Sequence, residues 1–116
     1  MSDKPLSWLG SSRSDLKAFP QDARRIAGFQ LRRVQQGLEP NDWKPMPAVG
    51  PGVREIRIHT GLEHRVFYVA KFTEGVYVLH AFEKRTRKIP KRELELARDR
   101  FYTLVMKRRA ESSTGR

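Results

Sequence analysis

Between Pro20 and Gly37 apolar residues recur every three to four positions. Ala23, Ile26, Ala27, Leu31, Val34 and Leu38 fall along one stripe, with Gln30 as its one polar member. That period predicts a helix. Pro20 suits its first turn, Gly37 its C-terminal cap, and Pro40 follows as a stop. Arg24, Arg25, Arg32 and Arg33 take the opposite face. Upstream, "PLSWLG" (Pro5–Gly10) reads as a short first strand. "SRSDLKAFP" reads as a short helix or turn that carries Leu16 and Phe19 inward.

The period changes after residue 52. "VREIRIHT" (Val53–Thr60) alternates, "HRVFYVAKF" (His64–Phe72) is β-branched and aromatic, and "VYVLHAFE" (Val76–Glu83) is almost continuously apolar. The short turns "GLE" and "TEG" join them, which predicts an antiparallel meander. The third of these has apolar residues of both parities, so both its faces are expected to be covered. "EPNDWKPMPAVGPG" (Glu39–Gly52), with four prolines and two glycines, predicts an irregular connection pinned by Trp43 and Met46. After Pro90 a last helix is expected to run to about Lys107, with Leu94, Ala97, Phe101, Leu104 and Val105 as its stripe. "KRRAESSTGR" then predicts a basic, frayed tail.

The predicted order is β, α, α, β, β, β, α. The fold class is α+β: a small antiparallel sheet with two N-terminal helices packed on it and a C-terminal helix. A chain of 116 residues suits one domain, here residues 1–107, with 108–116 as the tail.

Charge sharpens the picture. Lys and Arg number 24 against 13 Asp and Glu, a formal net charge of +11. Such an excess points to an anionic partner: nucleic acid, acidic protein or anionic lipid. The absence of Cys excludes disulfides, thiolate nucleophiles and Cys-ligated metals. The N-terminus has no apolar signal core and no run reaches transmembrane length, so the expectation is a cytoplasmic protein without membrane contact.

The cations concentrate where strands end. Arg57 and Arg65 stand on neighbouring strands, and Lys84, Arg85, Arg87 and Lys88 follow the third. Residues opposite one another on antiparallel strands stand about 5 Å apart. Two readings are open. The cations can form a phosphate site, or each Arg can pair with Glu55, Glu63 or Glu83. Serine triads, HExxH, Walker loops and metal-holding carboxylate clusters are all missing. An enzyme built from these residues would need neither metal nor cofactor. RNA cleavage fits: a 2′-oxygen attacks the neighbouring phosphorus, and fixed cations stabilise the phosphorane. Lys84 would serve as acid or base. Arg54, Arg87 and Lys88 are further candidate RNA contacts. His80 and Phe82 complete the candidate RNA-binding set; for His80 a core or supporting role stands against a catalytic one, and for Phe82 a core role against a ring under a base. His59 and His64 flank a turn and are expected to be exposed.

"VREIRI", "HRVFYVA" and "VYVLHAFEKRTRKIPKRELELARDR", in that order, resemble the RelE/ParE toxin superfamily, and its phage-derived HigB-like branch most closely. The resemblance covers most of Leu6–Phe101 and is sharpest over Val53–Arg98. It implies the toxin of a type II toxin–antitoxin system, an endoribonuclease that cleaves mRNA on the ribosome. It also implies a cognate helix-turn-helix antitoxin that silences the toxin in a heteromeric complex. Carried over residue by residue, the catalytic cations would be Arg57, Arg65 and Lys84 or Arg85. Where RelE has a tyrosine in its final segment, Lys91 stands here. ParE relatives share the fold but poison DNA gyrase, so a non-catalytic gyrase inhibitor is the alternative.

Overall fold

The computed structural model describes residues 3–114. Strands β1 (Leu6–Trp8), β2 (Trp43–Pro45), β3 (Val53–His59), β4 (Glu63–Val69) and β5 (Val76–Glu83) form one sheet. Helices α1 (Ser12–Lys17), α2 (Gln21–Gln35) and α3 (Lys91–Thr114) flank it. The strand order is β1-β5-β4-β3-β2. Pairing is antiparallel from β5 through β2, and β1 joins β5 in parallel. The α+β architecture expected from the periodicities is therefore present.

The sheet separates two apolar layers. On one face α1, α2 and the connection between them bring Leu16, Phe19, Ala23, Ala27, Leu31 and Val34 onto Ile56, Ile58, Val66, Val78 and Ala81. On the other, Ala97, Phe101 and Leu104 of α3, with Met46 and Val49, cover Val53, Phe67, Val69, Leu79 and Phe82. Gln30 is buried within the α2 stripe because its Oε1 accepts the Asn41 backbone N–H at 2.8 Å. Leu38, expected in that stripe, is half exposed: the helix stops at Gln35 and Gly37 turns the chain with φ +85°.

Two expectations about the elements are corrected. The Glu39–Gly52 connection contains a strand, β2, paired with β3 from Trp43↔Ile56 to Pro45↔Arg54. Proline is tolerated there because β2 is an edge strand and Pro45 need not donate to the ladder. The last helix continues past Lys107 to Thr114. Arg108 anchors it, reaching Glu74 with two hydrogen bonds (2.6 and 3.1 Å) and lying 3.7 Å over the Phe72 ring. Residues 115 and 116 of the expected tail lie outside the described residues.

The β4–β5 ladder contains a β-bulge. Phe67 pairs with His80 but Tyr68 with Val78, leaving Leu79 unpaired. One extra residue inverts the alternation. Tyr77, Leu79 and Phe82 consequently face α3, while Val76, Val78 and Ala81 face α1 and α2.

Candidate functional site

Register decides where the strand cations meet. Arg57 on β3 stands directly opposite Arg65 on β4, and Arg65 is opposite Phe82 on β5. Arg57 shares its face with Glu55, two residues earlier. The backbone N–H of Lys84 donates to the Glu63 carbonyl at 2.7 Å, so the exit of β5 is held beside the start of β4. These residues surround an open cavity of about 430 Å³ on the α3 face, at the end of the sheet. Lys44, Arg57, Arg65, Lys84, Arg87 and Lys88 line it with a single carboxylate, Glu55; Met46, Ile89 and Leu94 complete the wall.

The stretch after β5 is no loose row of charges. Lys84 Nζ donates to the Arg87 carbonyl at 2.8 Å, and Thr86 Oγ1 donates to the Lys88 carbonyl at 2.6 Å. The segment thereby folds back on itself and is held in place before any ligand arrives.

Arg65 and Glu55 are the fixed part of the cavity. Arg65 is 3 % exposed and Glu55 1 %. Arg65 Nε lies 3.5 Å from Glu55 Oε2, while Nη1 donates to Glu63 Oε1 at 2.9 Å and to the His64 carbonyl at 3.0 Å. The Arg65–Glu55 pair is electrostatic rather than hydrogen-bonded: both Glu55 oxygens, and Arg57 Nε, are buried without a hydrogen-bond partner. Burial pushes the Glu55 carboxyl above its ordinary value, opposed by the charges of Arg65, Lys44, Arg57 and Lys84. An unsatisfied buried carboxylate among cations is a feature that invites a ligand carrying hydrogen-bond donors. Sequence reading had Glu55 only as a partner for arginine. The signal available was its shared parity with Arg57.

The other candidates fall elsewhere. Arg54 lies on the opposite parity, stacks 4.1 Å over Trp43 and pairs with Glu39 at 3.6 Å. Arg85 points away, with its side chain 79 % exposed and its Nε 3.3 Å from Glu83. His80 is 4 % exposed; its Nε2 meets Glu93 Oε1 at 2.7 Å, and its ring stacks on Phe82 at 5.1 Å. Phe82 is itself a core residue, packed edge-on against Phe67 at 5.3 Å. Neither lines the cationic cavity. Among the site residues of the sequence reading, Arg57, Arg65, Lys84, Arg87 and Lys88 come together. Arg54, Arg85, His80 and Phe82 do not.

His64 is a further correction. It is buried (1 % exposed), with its ring 4.3 Å from that of Phe19, and burial lowers its pKa. The expected exposure failed because Phe19, in the connection between α1 and α2, lies against it. His59 is exposed as expected and bridges Asp42 and Glu63 at 2.7 Å each; these hydrogen bonds raise its pKa.

The model of the phage-derived protein Gp49-like family (DUF891) matches residues 14–102. The chain belongs to this family. It is a phage-derived family associated with RelE and toxin-like proteins. Every residue lining the cavity of this Gp49-like protein falls within the matched span, whereas α3 beyond residue 102 lies outside it. No curated protein matches the chain. Among the described residues, no helix is long and apolar enough to cross a membrane, and no group of three His, Cys, Asp or Glu side chains is arranged so that it could hold a metal ion.

Proposed function

We propose that this Gp49-like chain is a HigB-like toxin of a type II toxin–antitoxin system. In this reading it is a cytoplasmic endoribonuclease that cleaves mRNA on the ribosome without metal, and a helix-turn-helix antitoxin silences it. One observation carries the reading: six cations surround a single buried carboxylate in one cavity at the sheet end.

Placement supports the following roles. Arg65 is held by Glu55, Glu63 and the His64 carbonyl, so its guanidinium needs no reorganisation when charge builds on the phosphorane. Arg57, with its Nε unpartnered, is free to take a phosphate oxygen. Glu55, its carboxyl raised by burial, accepts the 2′-hydroxyl proton as the 2′-oxygen bonds to phosphorus. Lys84 protonates the departing 5′-oxygen as its bond to phosphorus breaks. The products are a 2′,3′-cyclic phosphate and a 5′-hydroxyl. DNA, lacking the 2′-hydroxyl, is spared. Arg87 and Lys88 hold the flanking backbone.

The test is incubation of purified chain with mRNA-loaded ribosomes in the presence and absence of EDTA, keeping ribosomes intact, with primer extension to map new ends. Cleavage at discrete sites, with cyclic phosphate ends and no loss in EDTA, is expected. Intact mRNA alongside inhibited DNA gyrase would overturn the reading in favour of the gyrase inhibitor.

A further inference from the structure

One cavity inverts the charge of the molecule. It lies where β5 runs on past the end of β1, between α1 and the start of α3, and its volume is about 350 Å³. Asp15 of α1, Glu83 of β5 and Glu93 of α3 bring three carboxylates to its wall, and among the described residues no Lys or Arg lines it. In a chain of net charge +11 that is a local reversal. Glu83 belongs to this cavity and the next residue, Lys84, to the cationic one, and the two share no lining residue.

A second observation singles the cavity out. His64 lines it, is 1 % exposed, and its Nδ1 has no hydrogen-bond partner. Burial lowers the His64 pKa against the pull of Glu83, Asp22 and Glu63, and Arg65 acts with burial. The neutral ring keeps a lone pair on one nitrogen, and a buried acceptor left unmet calls for a donor. The carboxylates also keep capacity, since each has about four acceptor positions. Asp15 Oδ2 accepts the Ser11 hydroxyl at 2.7 Å, and Glu93 Oε1 meets His80 Nε2 at 2.7 Å. Arg85 and Arg92 approach Glu83 and Glu93 at 3.3 and 4.0 Å, but their side chains are 79 % and 86 % exposed. Such pairs are screened and readily exchanged.

The set fits one class of ligand. Among the described residues no three His, Asp or Glu side chains are arranged to hold a metal ion, which leaves a larger cation. An RNA phosphate would be repelled by three carboxylates. A polyamine would carry several charges into the field of a strongly basic chain. A guanidinium carries one charge, five N–H donors in a fixed fork, and flat faces that lie well on aromatic rings. Phe19 and Phe82, with Pro20, give the wall its apolar surface.

We propose that this cavity binds the guanidinium group of a small molecule through Asp15, Glu83, Glu93 and His64. The inference does not depend on RNA cleavage, and its test reads binding alone. N-acetyl-L-argininamide, which carries a single charge, is titrated into the full chain while NMR follows the His64 and His80 ring signals. Both should shift saturably, with a Kd of about 1 mM for so small a ligand. N-acetyl-L-citrullinamide, of the same shape without the charge, should bind about tenfold more weakly, and N-acetyl-L-lysinamide about threefold more weakly. D15N/E83Q should weaken binding of the arginine compound about tenfold, whereas E95Q/D99N, an equal charge change at exposed positions of α3, should alter it by less than about twofold. Ala18 lines the cavity from an exposed position, so A18W should abolish binding without a change of charge. Circular dichroism checks that each variant is folded. Equal binding of the citrulline compound, equal losses from the two double variants, or unchanged binding by A18W would remove the site. Equal binding of the lysine compound would make it a general cation site. An arginine-centred peptide that bound more than about tenfold tighter than the free compound would assign the cavity to a side chain of a protein partner. Each of these outcomes overturns the proposal.

Discussion

Arg65 and Arg85 each stand beside a glutamate at nearly the same distance, 3.5 Å for Arg65–Glu55 and 3.3 Å for Arg85–Glu83. Their surroundings differ completely. The Arg65 side chain is 4 % exposed and lies over a carboxylate that is equally hidden, while the Arg85 side chain is 79 % exposed. A buried pair feels a low dielectric and cannot exchange its partner for water. An exposed pair is screened and rarely adds to stability. The lesson is that burial, rather than proximity of opposite charge, decides which arginine is fixed in the cavity.

The comparison breaks most visibly at Arg65. Arg65→Ala leaves Glu55 buried without its counter-charge and should cost about 3–5 kcal/mol, read as a lower urea midpoint. Glu55 can neutralise itself by taking a proton, so the deficit should grow as pH rises. A variant as stable as the parent would sink the buried-pair account.

Arg57 sharpens the comparison from the other side. It faces Arg65 across the ladder and has no carboxylate partner among the ion pairs of the described residues. Arg57→Ala should therefore leave stability within about 0.5 kcal/mol. Ribosome-dependent cleavage should nonetheless fall about 100- to 1,000-fold. A stable variant that cleaves as well as the parent would remove Arg57 from the mechanism.

A smaller effect is expected at Glu74. Its hydrogen bonds with Arg108 lower its pKa from the ordinary 4.5 to about 2. The folded state then holds fewer protons than the unfolded chain across that window. The stabilisation is complete above about pH 4.5 and is lost as pH falls toward 2. Thermal melts should show this loss, and Glu74→Gln should flatten that part of the profile. If parent and variant kept the same slope, the anchor of α3 would lie elsewhere. Arg85→Ala should do least, under about 1 kcal/mol, with cleavage near that of the parent. A large loss of cleavage would return Arg85 to the site.

The sequence by itself determined every element but β2 and the last turns of α3, because helical and alternating periods are local properties of the chain. It also determined that Arg57 and Arg65 approach one another, since the short turn at Gly61 leaves little choice of register. The cationic stretch Lys84–Lys88 was legible as composition. Side-chain destinations were another matter. Parity along β5 puts His80 and Leu79 on opposite faces, but the bulge at Leu79 resets the alternation, and that bulge depends on how two strands and α3 pack together. His64 looks exposed beside a turn; Phe19, distant in sequence, lies against it and it is buried. Arg108 looks like part of a frayed tail until Glu74 and Phe72, more than thirty residues away, hold it. Periodicity reports which residues want to be covered. What covers them, and hence which charges are held rigid, is set by contacts between segments far apart in the chain.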